Sequence, residues 1–257
     1  LGNRAMTQLT KPDFQTDVPA FYLRHNRDQS LERSRELRSR YAARVLGRAT
    51  VRERFSSLAD IRDESDSDLE GMSQLGHALQ TANAMQVDGL GEDWLVLGLI
   101  HDVGKILLQY GELPEFVVGD TFPVGCAYSP RIQHADYLAL NPDAQNAELQ
   151  TPCGIYEAGC GLEQVEFAYG HDEYLYTILK DNLPHEIAWT IRHHSFQSVA
   201  DDYTHLFDER DRALRESHLR VFARYDLYTK DPDAARADRL DEFLELLDRW
   251  FPEPIEW

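Results

Sequence analysis

Residues 98–105 form an apolar stretch that carries a histidine and an aspartate side by side, His101 and Asp102, followed closely by Gly104 and Lys105. Two metal-competent side chains stand where a core helix normally has Leu or Val. One such pair could be satisfied by hydrogen bonds to its neighbours. The chain adds His77 upstream and His171, His194 and Asp226 downstream, each on the apolar face of a helix-like segment.

Side chains three, four and seven positions apart share a helix face. Ile187, Ile191 and His194 are spaced in this way, which aims His194 inward and turns His193 aside. Val165, Ala168, His171, Leu175 and Ile178 form a second face with Asp172 at its edge, and Leu219, Phe222 and Asp226 form a third. A buried carboxylate without a partner is strongly disfavoured, so Asp226 calls for a cation. Inward histidines at 77, 101, 171 and 194 with two inward aspartates make a poor structural core and a reasonable dinuclear metal site. No cysteine belongs to the set, and nitrogen plus carboxylate ligation suits iron, manganese, cobalt or zinc. Asp102, beside His101, can offer one oxygen to each of two ions and is the candidate bridge. Lys105 and Lys230 each lie one turn beyond a ligand candidate, a spacing suited to holding an oxygen-rich substrate against the metals. His25, His134, His185, His205 and His218 lie in polar surroundings and are expected at the surface.

Composition limits the partners. Lys and Arg number 26 against 45 Asp and Glu, a net charge of −19, which speaks against nucleic acid and anionic membranes. No apolar run approaches the length of a membrane span. Cys126, Cys153 and Cys160 form neither a CxxC pair nor an even-numbered framework, and the polar N-terminus lacks the apolar centre of a signal peptide. A cytoplasmic setting is expected. Without a heptad repeat or an evident apolar patch, a monomer is the default.

At 257 residues the chain can build a proper core. Residues 1–20 read as an extended arm, and residues 24–54 as a helix with a charged, solvated face. In the acidic stretch after Asp63, Asp66, Asp68, Glu70 and Gly71 fit the opening positions of a calcium loop, but the closing Glu would fall at His77. Further helices are expected over about 72–85, 94–110, 162–180, 184–194, 210–228 and 233–250, with irregular chain over 128–161. No segment reads as a strand. The expectation is one all-α domain over 1–257, in which 1–57 form an N-terminal arm and helix and 58–257 the catalytic core.

The order His77, His101-Asp102, Asp226 resembles the H…HD…D pattern of HD-domain metalloproteins, hence an HD-like helical bundle with a dinuclear site in its core. The intervening words are closer still. The stretches at 63–66, 101–105, 118–126, 170–176, 194–196 and 226–230 resemble the myo-inositol oxygenase family in order and spacing. That resemblance implies a mixed-valent Fe(II)/Fe(III) enzyme without an organic cofactor, cleaving the C1–C6 bond of myo-inositol with O2 to give D-glucuronate. One iron would take His77, His101, Asp102 and Asp226, and the other His171 and His194, with Asp102 bridging. Lys105 would lie against the coordinated alkoxide, and Asp63, Gly119, Asp120, Ser195 and Lys230 would bind the hydroxyls. Arg24 loosely matches an arginine of the family's N-terminal segment that reaches the substrate. The alternatives are a related mixed-valent oxygenase acting on another cyclitol or an organophosphonate, and an HD-type metal-dependent phosphohydrolase.

Overall fold

A computed structural model describes residues 17–61, 63, 73–228 and 239–257. The chain is all-α, as expected. Its first three helices are each fixed by a side-chain cap that satisfies an otherwise orphaned N–H. Asp17 caps α1 (Val18–Asp28), Ser30 caps α2 (Leu31–Ala42), and Thr50 with Glu53 closes a capping box on α3 (Val51–Ser57). These caps divide what the charge pattern suggested was one helix over 24–54. A two-residue strand β1 (Arg48–Ala49) pairs antiparallel with β2 (Ile255–Glu256), tying the chain's end to the α2–α3 link. It is too short to show in a sequence pattern.

Ser73 caps α4 (Gln74–Val87), which packs along α5 (Glu92–Ile100). Residues 95–100 of α5 are all buried, so its sequence is apolar on every side. The expected helix over 94–110 breaks at Asp102, where φ is −96° and ψ 1°, and continues as tighter 3-10 turns over Val103–Tyr110. Gly104 within these turns is required by contact, because a Cβ there would lie 2.0 Å from the His171 carbonyl oxygen.

The expected helix over 162–180 begins only at His171. Residues 165–170 are extended: Val124 N–H donates to Glu166 O at 2.9 Å and Ala168 N–H to Phe122 O at 2.8 Å, which takes this backbone out of a helix. Then α6 (His171–Leu179) packs against α7 (His185–His193). The 210–228 segment is α8 (Glu209–Leu214), a π-helical turn (Arg215–Leu219) and α9 (Arg220–Tyr228). The last helix, α10 (Leu240–Trp250), starts later than expected, and part of the 233–239 stretch lies outside the described residues. Of the extended arm expected over 1–20, residues 18–20 instead belong to α1, started by the Asp17 cap and Pro19, while residues 1–16 and the acidic run after Asp63 lie outside the described residues. Among the described residues no helix is long and apolar enough to cross a membrane.

One apolar cluster joins α1–α7, α9 and α10, and a second lies beneath the irregular chain. Buried irregular backbone must find partners outside regular ladders. Here α1 and α2 supply them: Gln29 Nε2 donates to Glu115 O and Tyr169 O at 2.9 and 2.7 Å, and Ser34 Oγ to Phe167 O at 2.6 Å. The N-terminal helices therefore hold the loops that approach the His/Asp cluster.

Candidate metal centre

Five separate places in the fold deliver the six candidate ligands. His77 lies on α4, His101 and Asp102 at the break after α5, His171 at the first turn of α6, His194 just past α7, and Asp226 on α9. His77, His101, Asp102 and His171 are almost completely buried, and His194 is 9% exposed.

Their donor atoms converge in two groups that share Asp102. In the first, His77 Nε2 is 3.3 Å from His101 Nε2 and 2.9 Å from Asp226 Oδ1, and His101 Nε2 is 3.4 Å from Asp102 Oδ2. In the second, His171 Nε2 is 3.1 Å from both His194 Nε2 and Asp102 Oδ1. The carboxylate thus turns one oxygen to each group. Metal bonds of about 2.1 Å at right angles have edges of about 3 Å, so these separations suit donors around an ion.

The backbone fixes which nitrogen is free. His101 Nδ1 donates to Gly98 O at 2.9 Å, His171 Nδ1 to Val117 O at 2.7 Å, and His194 Nδ1 to Ile191 O at 2.7 Å. A neutral imidazole has one N–H, so in its neutral form each of these rings presents an Nε2 lone pair inward. Two lone pairs 3.1 Å apart, as at His171 and His194, repel unless a cation or proton lies between them. Burial disfavours the His101 imidazolium, but the Asp102 and Asp226 carboxylates outweigh it and raise its pKa to about 10. Burial likewise pushes both aspartates up, and the charges around them, Lys105 and His101 at Asp102 and His101 and His77 at Asp226, hold them well below the usual carboxylate range. The cluster's electrostatics demand positive charge.

A sequence model of the family described as myo-inositol oxygenase matches residues 15–257. The chain belongs to the myo-inositol oxygenase family. Inositol oxygenase 1 of Arabidopsis thaliana is 40% identical over 250 residues, which cover 93% of this chain and 80% of the plant protein. The probable inositol oxygenase of Oryza sativa subsp. japonica is 38% identical over 100% of this chain and 86% of its own length. The inositol oxygenase of Homo sapiens is 36% identical over 89% of this chain and 82% of its own.

Around the cluster of this inositol oxygenase family member, the Lys105 ammonium lies 2.9 Å from Asp63, 3.0 Å from Asp102 and 3.2 Å from Gln74 Oε1. Burial disfavours the charge, but Asp102 and Asp63 prevail and hold the pKa above its ordinary value. Gln74 was not singled out from the sequence, although it lies three positions before His77 on the same helix face. Gly119, with φ at +97°, and Asp120 lie on the loop after Val117, whose carbonyl also takes the His171 ring. Thr121 N–H donates to Ser195 O at 3.3 Å, which joins that loop to the residue after His194. Burial raises the Asp120 carboxyl against a hydrogen bond from the Gln133 main chain.

Arg24 donates to Ala20 O at 3.1 Å and lies 3.6 Å from Glu115, with its side chain 40% exposed. Lys230 lies outside the described residues. His193 is turned from the cluster but is buried, its Nδ1 bonded to Trp189 O at 2.7 Å. His134, His185, His205 and His218 are partly exposed. His25 corrects the expectation of a surface residue: it is 2% exposed, because its neighbours in space are Phe21, Tyr22 and Phe122 rather than the arginines beside it in sequence.

Proposed function

We propose that the chain is a diiron oxygenase that opens myo-inositol at C1–C6 with O2 and yields D-glucuronate. The observation that carries the reading is the Asp102 carboxylate, whose two oxygens face two separate sets of inward imidazole nitrogens. The residues fit a pair of ions: His77, His101, Asp102 and Asp226 would hold one, and His171, His194 and Asp102 the other. Bound there, a mixed-valent iron pair would supply Lewis acidity toward a diol and activation of O2.

The protein's own groups do the rest. Lys105 keeps its proton, so it acts by charge and favours a deprotonated oxygen placed beside it. Asp63, the Gly119 backbone, Asp120, Ser195 and Lys230 are assigned to the hydroxyls of the ring, since each buried hydroxyl must find a partner. Arg24, engaged by Glu115, is left out of this set. The chain is read as one unit, supported by an apolar cluster that contains both Phe21 and Trp257. Cytoplasmic location and a monomeric state remain readings from cysteine usage and surface pattern. A phosphohydrolase would leave the His171–His194 pair without a purpose.

The test is purification with Fe(II) under limited reduction, with EPR before and after myo-inositol and then O2. The reading expects a coupled mixed-valent signal that changes on inositol addition, and glucuronate once O2 is admitted. No coupled signal, with phosphate-ester hydrolysis under manganese or cobalt, would overturn it.

A further inference from the structure

His25 places both ring nitrogens against main-chain carbonyls of the loop that carries Gly119 and Asp120. Nδ1 is 2.9 Å from Glu115 O and Nε2 is 3.0 Å from Asp120 O, so one ring spans the loop. The ring also packs on Gly119, where an added Cβ would lie 3.1 Å from His25 Cε1 and 3.0 Å from Phe21. The next residue, Asn26, completes the arrangement. Its Nδ2 donates to Gln133 O and His134 O at 2.8 and 2.9 Å, and the Gln133 main chain is also what opposes burial at the Asp120 carboxyl. α1 thus holds the Asp120 carbonyl directly and, through Asn26, the Gln133 main chain beside its carboxyl.

We infer that His25 and Asn26 are positioning residues for Asp120, fixing the carboxylate that selects the substrate's hydroxyls. The inference rests on the proposed function for the meaning of Asp120, but not for the geometry. A neutral imidazole has one N–H for two carbonyls, and burial, only partly offset by the two carbonyls and the Asp172 charge, lowers the His25 pKa to about 4. Glu115 O already accepts from Gln29 Nε2 at 2.9 Å. The tautomer with its proton on Nε2, donating to Asp120 O, is the one that leaves neither carbonyl without a donor. His25 thus spends its single N–H on Asp120.

The experiment compares the iron-loaded wild type with His25→Phe, which keeps a ring of similar size but no donor, and His25→Gln, whose amide can donate. Loss of one such bond should raise KM for myo-inositol about tenfold in His25→Phe. Two irons per chain and a kcat near that of the wild type should remain, and His25→Gln should restore KM. Asn26→Ala should raise KM in the same direction, and it reports on the loop independently if His25→Phe does not fold. Amide hydrogen exchange over 117–121 should quicken in His25→Phe while that of α6 is unchanged, a readout that needs no turnover. If the wild type turns over no inositol, the functional reading fails and hydrogen exchange alone decides the positioning role. Unchanged KM and unchanged exchange, or a loss of iron with equal impairment of both His25 variants, overturns the inference.

Discussion

His171 and His194 meet Nε2 to Nε2 at 3.1 Å, each with its other nitrogen donating to a carbonyl, so two neutral rings bring two lone pairs together. So close a contact calls for a cation or a proton between the rings, and the Asp102 oxygen 3.1 Å from His171 makes with them a second group able to hold an ion, beside that of His77 and His101.

His194→Ala removes one of the two nitrogens at that position. Iron should fall from two to one per chain, measured by elemental analysis. Turnover should fall by more than about 100-fold, the upper range for losing a group that merely supports a ligand. Full activity with one metal lost would sink the dinuclear assignment.

Lys105→Met removes the ammonium without removing a ligand. Both irons should stay, and kcat should fall by about 100-fold, the scale for losing one group aimed at developing negative charge. Elemental analysis beside steady-state kinetics checks it, and unchanged kcat would exclude Lys105 from the chemistry.

The converging cluster of candidate ligands is legible because each falls in an apolar segment where it is out of character. His171 was aimed correctly although Val165 and Ala168, used to aim it, belong to extended chain; Leu175 and Ile178 on α6 carried the direction alone. Gln74 could have been found by its spacing from His77. His25 could not, since Arg24, Arg27 and Asp28 surround it in sequence and its partners are carbonyls 90 and 95 positions away. Backbone acceptors carry no residue signature. The same reason hides the extended stretch before His171, whose partners are the main chain of 122–124.

Gly104→Ala tests how tightly the 3-10 turns carry the ligands. The new methyl would meet the His171 carbonyl at 2.0 Å, so either α6 or the Asp102 segment must retreat. Overpacking of this kind costs about 1–3 kcal/mol. Iron content should drop together with the thermal midpoint. A variant as stable and as fully loaded as the wild type would show that the two backbones are not held at this distance.

His25 should also leave a mark on acid stability. In the folded chain burial keeps the imidazole neutral down to about pH 4, whereas its ordinary value is 6.5. Between those values the unfolded chain binds the extra proton, so the contribution is complete above 6.5 and is lost as pH falls toward 4. A shift of that size corresponds to about 3 kcal/mol across the window. The Asp172 carboxylate is the charge that opposes burial at this ring and is present in wild type and variant alike. His25→Gln has no such proton to gain. Denaturant unfolding at intervals from pH 7 to 4 should therefore show the wild type losing stability more steeply than His25→Gln. Parallel curves would mean that the ring takes up its proton in the folded state as readily as in the unfolded one.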